Sequence, residues 1–344
     1  MDNSNKPLKV FDTITAKELY ELNLPEIKQM IECILFQGLT VFAGSGKIGK
    51  SFAVLYMCMC VSDERELWGR KILKGTTLYL ALVDNNQRIQ IRMDRIIEGT
   101  GFLPPENMHI VTMAEFIKSG LEEQIHSFIK ANPDTVLIAI DTFQKIRGMN
   151  SDRNIDAYAL DYEEIGILKA LVDKYNVAIL LMHHLRKAGD GDEFNKISGS
   201  TGISGAADNL MMLSKEKRME STVTLQITGR DSADTKLVLE FDRAKFLWNL
   251  VSEEADKYLY ENEAGENIIV KALIKFMENR MVWENSPSEL LNELKKIDIK
   301  IPDMPNVLTR RINHYKDYLF KQGIDVASTA SNGKRTIIVT NVHT

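Results

Sequence analysis

The hydrophobic positions of this chain fall into two rhythms. Short continuous apolar runs, LTVFA (39–43), TLYLALV (77–83), MHIVT (108–112), TVLIAI (135–140) and VAILLMH (177–183), alternate with helical periodicity near 49–62, 86–98, 114–131 and 154–175. Runs that are apolar at every residue suit strands buried on both faces, and the intervening helices supply the covering layers. The pattern therefore predicts an α/β fold, a mainly parallel sheet flanked by helices. After Asn209 the rhythm shortens to NLMMLS, STVTLQIT, KLVLEFD and FLWNL, which read as strands extending that sheet, some of them antiparallel.

The flanks read differently. Residues 1–34 predict an N-terminal helical arm lying against the main domain, with two amphipathic helices, TAKELYEL and EIKQMIECIL, separated by Pro25. Residues 35–251 form the main domain, and the polar, acidic stretch 252–267 reads as a linker. Residues 268–344 form a second unit: a helix from Ile268, a helix capped by Ser286 with Glu289 at the box position, and a long helix around Val307–Gln322. Two short strands about the Asn332-Gly333 turn complete it. Three helices and a hairpin suggest a small winged-helix domain.

Composition narrows the function classes. No apolar run reaches the roughly 18–20 residues of a membrane span, and the N-terminus MDNSNKPLKV lacks a signal-peptide pattern, so a cytoplasmic protein without membrane contact is expected. Cys58 and Cys60 lie in the apolar helical stretch SFAVLYMCMC, where small hydrophobic packing is their expected role. The net charge of −5 argues against nucleic-acid binding by overall charge, so any such contact needs a local basic surface. From Lys295 onward nine Lys/Arg stand against four Asp, which makes the C-terminal unit the candidate.

The most specific chemistry sits in AGSGKIGKS. Gly44, four residues, then Gly49, Lys50 and Ser51 follow an apolar strand and open a helix, which is the context a phosphate-binding loop requires. Glycines let main-chain N–H groups close around phosphate oxygens, and the helix N-terminus adds a field that favours anions. The loop Gly44, Ser45, Gly46, Lys47, Ile48, Gly49, Lys50 and Ser51 is thus expected to cradle ATP, with Lys50 on the β- and γ-phosphates and the Ser51 hydroxyl on Mg²⁺. Asp141 ends the buried run TVLIAID, at the strand edge where ligands bind in doubly wound sheets, and fits the second Mg²⁺ ligand.

The order of AGSGKIGKS, LYLALVDNNQRIQIRM, VLIAIDTF, LMHHLRKAGD, ISGSTGISGAADNLMML and ITGRDSADTKLVLEFD resembles the RecA-like ATPases of plasmids and phages, above all the RepA-type replicative helicases, over about residues 30–250. The C-terminal unit is similar to winged helices of related mobile-element proteins. The resemblance implies a homo-hexameric, ATP-driven motor on single-stranded DNA, a replicative helicase of a plasmid, phage or integrated element. It places at His184 the group that senses the γ-phosphate, and at Arg230 the finger inserted into a neighbouring subunit's site. It also implies a loop carrying Arg186, Lys187 and Lys196 that grips single-stranded DNA, although Asp190, Asp192 and Glu193 dilute its charge.

One position departs from the family. Its hydrolytic glutamate ends the second strand in a segment resembling LALED, whereas this chain reads LALVDN, with Val83 at that place. A valine cannot polarise water. Asp84 substitutes from the loop, Glu98 is recruited, or hydrolysis is impaired; alternation along a strand argues against Asp84 pointing the right way. Impaired hydrolysis would instead make the chain an ATP-gated DNA-binding or loading module. Arg88 and Arg92, four apart on the following helix, read as a solvated face. In the C-terminal unit Arg310 and Arg311, with Lys316 and Lys321 along one helix and Lys334 and Arg335 by the turn, suit duplex DNA, while winged helices also dock proteins. A small-molecule phosphotransferase is disfavoured, since no acceptor pocket or lid is apparent.

Overall fold

The computed structural model describes residues 11, 13–22, 24–25, 27–148, 157–185, 201–215, 220–230, 234–255, 263–302, 304–331 and 334–342. The chain divides into two compact units, one of Ile27–Asp256 and one made of Met1–Glu26 together with Lys257–Thr344. A short helix, α1 (Ala16–Glu21), comes first in the chain, followed by two short strands, β1 (Gln29–Ile31) and β2 (Leu35–Phe36).

The first unit is built on a nine-stranded sheet. Its strands are β3 (Gly38–Gly44), β4 (Thr76–Ala81), β5 (Met108–Val111), β6 (Thr135–Asp141), β7 (Ala178–His184), β8 (Asn209–Ser214), β9 (Thr222–Gly229), β10 (Thr235–Asp242) and β11 (Leu247–Ala255). They lie in the order β11-β10-β9-β8-β3-β7-β6-β4-β5. From β8 to β5 every pairing is parallel, and β9 to β11 add an antiparallel extension. The five apolar runs foreseen from sequence thus make up the parallel part together with β8. Helix α2 (Lys50–Asp63) buries ten of its residues, which is why its apolar positions show no single stripe. With α3 (Asn86–Thr100) it covers one face of the sheet. The other face carries α4 (Leu121–Ala131), the single turn α5 (Phe143–Ile146) and α6 (Ala157–Tyr175). Cys58 and Cys60 are buried and free, in packing roles as expected.

Three expectations fail locally. The segment EIKQMIECIL is not a helix: β1 and β2 pair antiparallel there. Met30, Ile31, Ile34 and Leu35 are all fully buried, and a surface helix could not hide them on every side. The helix expected from 114 starts only at Leu121, where a regular apolar stripe of Leu121, Ile125 and Ile129 begins. The long C-terminal helix breaks at Tyr315 into Pro305–His314 and Lys316–Lys321.

The second unit has the order helix (Ile268–Met277), strand β12 (Val282–Asn285), helix (Pro287–Lys295), the two helices just given, then β13 (Ile324–Ser331) and β14 (Lys334–Asn341). Its sheet order is β12-β14-β13, all antiparallel. Ser286 caps its helix by accepting from the Glu289 N–H at 3.3 Å, as foreseen. The Asn332-Gly333 turn lies outside the described residues. Helix α1, capped by a Thr15–Glu18 box, rests on Pro305–His314: the Asn306 amide donates to the Glu21 carbonyl, and Arg310 sits 5.5 Å from the Tyr20 ring centre. The arm was expected on the main domain. None of its helical residues is buried, so its short apolar pattern carried no information about which surface it meets.

Candidate nucleotide site

β3 is buried along its whole length and delivers the chain to the carboxyl edge of the sheet, where residues 45–49 turn it into α2. Two glycines are required there by space. A Cβ on Gly44 would lie 2.8 Å from the Leu213 carbonyl oxygen, and one on Gly49, which has φ 105°, would lie 2.7 Å from the Trp248 ring. Ser45, Gly46 and Lys47 are exposed, whereas Ile48 turns inward as an anchor. Gly46 has open space around it, with nothing within 4 Å of a built Cβ. Lys50 is buried and folds back over the loop, donating from Nζ to the Gly44 carbonyl at 2.7 Å and the Ser45 carbonyl at 3.1 Å. Burial lowers its pKa to about 8, with Asp141 pulling the other way.

β7 separates the loop strand from β6, so Asp141 reaches the site across one intervening strand. Its Oδ2 accepts from the Ser51 hydroxyl at 2.6 Å and from the Tyr79 hydroxyl at 3.1 Å. Burial pushes the Asp141 carboxyl above its usual range, against the hydrogen bonds from Ser51 and Tyr79 and the charge of Lys50. Tyr79 was missed by sequence reasoning. The signal was its offset: Ala81 is the register partner of Asp141 and Tyr79 that of Ala139, so Tyr79 and Asp141 share a sheet face.

The turn after β4 resolves the geometry at the departing position. β4 stops at Ala81, the Leu82 N–H donates to the Asp141 carbonyl at 2.8 Å, and the Asp84 N–H donates to the Ala81 carbonyl at 3.2 Å. Strand alternation therefore does not extend to Asp84. Val83 is 42% exposed while the Asp84 side chain is only 5% exposed, close enough for its charge to raise the Asp141 pKa. Arg92 pairs with Asp84 and lies 4.9 Å from the Phe52 ring centre; its side chain is largely covered, which corrects the reading of it as solvated. Arg88, 3.8 Å from Asp84, is mostly exposed, as that reading required. Glu98 is exposed about 20 Å along α3 from the Asp84 end, at ~1.5 Å per residue. It is too far away to be recruited.

His184 ends β7 in register with Gly44. Burial and the charge of Lys50 lower its pKa, and Asp141 opposes them, so the imidazole shares the field of the site. His183 is buried instead, with its ring 5.7 Å from Phe143. Arg230 lies elsewhere. It follows Gly229, the register partner of Asn209, which itself pairs with Thr40 near the start of β3. It is therefore at the sheet edge opposite its own loop, mostly exposed, 3.6 Å from Asp208 and 3.4 Å from the Gly205 carbonyl. Asp208 also pairs with Lys169. Arg186, Lys187 and Lys196 fall outside the described residues. Arg311 is exposed, and Arg310 is half covered beside α1.

The donor set suits a magnesium nucleotide: open main-chain N–H groups at a helix start, one lysine, and a hydroxyl–carboxylate oxygen pair. Among the described residues no group of three His, Cys, Asp or Glu is placed to hold a metal ion by itself, so a divalent ion here would depend on Ser51, Asp141 and the ligand's own oxygens.

A parallel sheet with this loop and carboxylate at its carboxyl edge defines a RecA-like P-loop ATPase domain. More particularly, residues 4–190, over half the chain, match the AAA domain family, and the chain belongs to it. Residues 269–344 match the AICE RepA C-terminal domain. The fold is similar to a solved ATPase domain, with TM-score 0.51 and 14% identity over 63% of this chain and 85% of that one. It is also similar to a DnaB-like replicative helicase described with its interactions with primase, with TM-score 0.52 and 13% identity over 63% of this chain and 59% of that one. No curated protein sequence matches the chain. No helix among the described residues is long and apolar enough to cross a membrane.

Proposed function

We propose that this chain is an ATP-dependent motor that acts on single-stranded DNA as a homo-hexamer, the replicative helicase of a plasmid, phage or integrated element. The carrying observation is the convergence of Lys50, Ser51, Asp141, Asp84 and His184 at the end of β3 and its neighbours. In this reading Lys50 exchanges its two loop carbonyls for phosphate oxygens, and Ser51 and Asp141 open their mutual hydrogen bond to hold Mg²⁺. The ion, when bound, neutralises charge that develops on the transferred phosphoryl group. Asp84 takes the general-base role that Val83 cannot fill, and His184 reads the occupied site. Arg230 cannot reach its own loop, which supports a role in a neighbouring subunit's site, where a guanidinium stabilises transition-state charge. The winged-helix reading of residues 268–344 draws support from their element order and β12-β14-β13 sheet, with Arg311 exposed for DNA. Strand displacement on forked DNA tests the proposal; intact ATP binding without unwinding removes the motor.

A second reading has its own observation. Asp84 is engaged by Arg92, and Val83 points outward, so the water-activating group is either restrained or missing. An ATP-gated loading module with slow turnover follows, and steady-state hydrolysis with and without single-stranded DNA separates the two.

A further inference from the structure

In the helix Pro305–His314, Leu308 and Ile312, with Tyr315 just beyond them, are buried in the core of their unit. At about 100° of turn per residue, Asn306, Arg310 and Asn313 fall on the opposite face, which points outward. Polar side chains on such a face are expected to stand open to water, yet all three are half-buried. Helix α1, which belongs to the same compact unit, lies on that face. The Asn306 amide donates to the Glu21 carbonyl, one of the acceptors that the end of a helix leaves without a partner in its own turns. Beside it the Tyr20 ring meets the Arg310 guanidinium at 5.5 Å. The contact is shallow: no residue of α1 is buried, and Leu19 and Tyr20 stay 48% and 41% exposed. One donor and one cation hold the arm down, not a core.

We propose that the outward face of Pro305–His314, with Asn306 and Arg310 at its centre, is a surface for duplex DNA, and that α1 is its removable cover. This rests on the winged-helix reading of residues 268–344 above. Pro305–His314 follows Pro287–Lys295 as the second helix of a pair, the position from which helix-turn-helix folds enter the major groove. Asn and Arg are side chains that pair with the edges of adenine and guanine there, and at one turn's spacing both face the same groove. Residues 305–321 carry Arg310, Arg311, Lys316 and Lys321 against Asp317, a balance that attracts a polyanion. A protein partner fits less well, because Pro305–His314 exposes no large apolar side chain to anchor one. The last turn of α1 gives Asn306 an acceptor oxygen and Arg310 a π-face, which are what base edges and faces would give them. Arm and DNA therefore compete for the same two side chains.

The test is fluorescence anisotropy of a labelled mixed-sequence duplex titrated with the nucleotide-free full chain at low salt, with one of its single strands as control. Tyr20→Ala should tighten duplex binding about 2- to 5-fold, the worth of one exposed cation–π contact. Leu19→Pro removes the bond from the Leu19 N–H to the Thr15 carbonyl and unwinds α1, so it should tighten binding at least as much. In the Leu19→Pro background, Arg310→Ala should weaken the duplex about 5-fold or more, and single-strand affinity should stay within about two-fold throughout. If both arm variants leave duplex affinity unchanged while Arg310→Ala lowers it, the face reads DNA and the cover is refuted. An equal gain for single strand and duplex would place the effect elsewhere and overturn the proposal, as would an Arg310→Ala variant with no effect in either background. If no form of the chain binds duplex, the winged-helix reading of DNA contact has failed, the face is left to a protein partner, and the cover falls with it.

Discussion

Lys50→Met isolates the energetic cost of keeping a cation ready for phosphate. Burial holds the Lys50 pKa at about 8 against an ordinary 10.5. At about 1.4 kcal/mol per unit, the charged side chain destabilises the folded state by about 3 kcal/mol wherever it stays protonated. Against that, the mutation strips Gly44 and Ser45 of their lysine hydrogen bonds, costing about 1 kcal/mol each if water does not replace them. Ligand-free Lys50→Met should therefore be more stable than the parent by roughly 1–2 kcal/mol at pH 7, a rise of about 3–6 °C in the melting temperature of a unit this size. The pH dependence fixes the sign. Between pH 8 and 10.5 the unfolded lysine binds more protons than the folded one, so the parent gains stability as pH rises through that window. The variant does not, so at about 1.4 kcal/mol per unit its advantage should vanish at about pH 9 and be reversed by about pH 10.5, where only the lost hydrogen bonds remain. Thermal melts of both proteins at about pH 7 and about pH 10 measure this, with calorimetry showing that the variant no longer binds ATP. A variant less stable than the parent by the same amount at both pH values would refute the reasoning, because it would mean that no burial penalty exists.

Other outcomes follow from the same geometry. ATP affinity of the parent should fall as pH rises through about 8, since a neutral Lys50 loses its attraction for phosphate; a flat titration across that value contradicts this. Gly49→Ala should destabilise the ATPase unit by at least about 1–2 kcal/mol, from its left-handed φ and the Trp248 contact at 2.7 Å, as read by urea unfolding. Asp84→Asn should lower turnover about 100-fold or more with ATP binding kept, if Asp84 is the base. Val83→Glu then adds little, whereas a large gain from that substitution favours the slow-turnover gate. Arg230→Ala should leave ATP binding intact and abolish hydrolysis; doping it into parent protein should depress the rate more steeply than its fraction, and a linear response would argue against action across subunits.

How much of this was readable in the sequence differs by region. The parallel strands announced themselves because a strand buried on both faces must be apolar at every position, and the phosphate-loop pattern because its glycines, Lys50 and Ser51 stand within one short run; the crowding of Gly44 by Leu213 and of Gly49 by Trp248 shows only in the fold. Asp141 was equally visible, as a carboxylate closing an otherwise apolar run. The hairpin at Gln29–Phe36 was not: a short apolar run fits helix or strand alike, and only complete burial in the core decided between them.

Asp84 shows the limit most clearly. Alternation predicted that it points away, and the prediction failed because β4 ends three residues earlier and a turn replaces the pleat. Tyr79 became a partner of Asp141, and Phe246 a neighbour of Phe52, only through pairing register and the return of a hairpin from the far side of the sheet. Local sequence determines which residues can strand, turn or cradle an anion, because those preferences depend on each residue and its near neighbours. Which distant side chains meet depends on strand order and register, long-range pairings that are set by burying the whole core at once, and only the tertiary structure decides them.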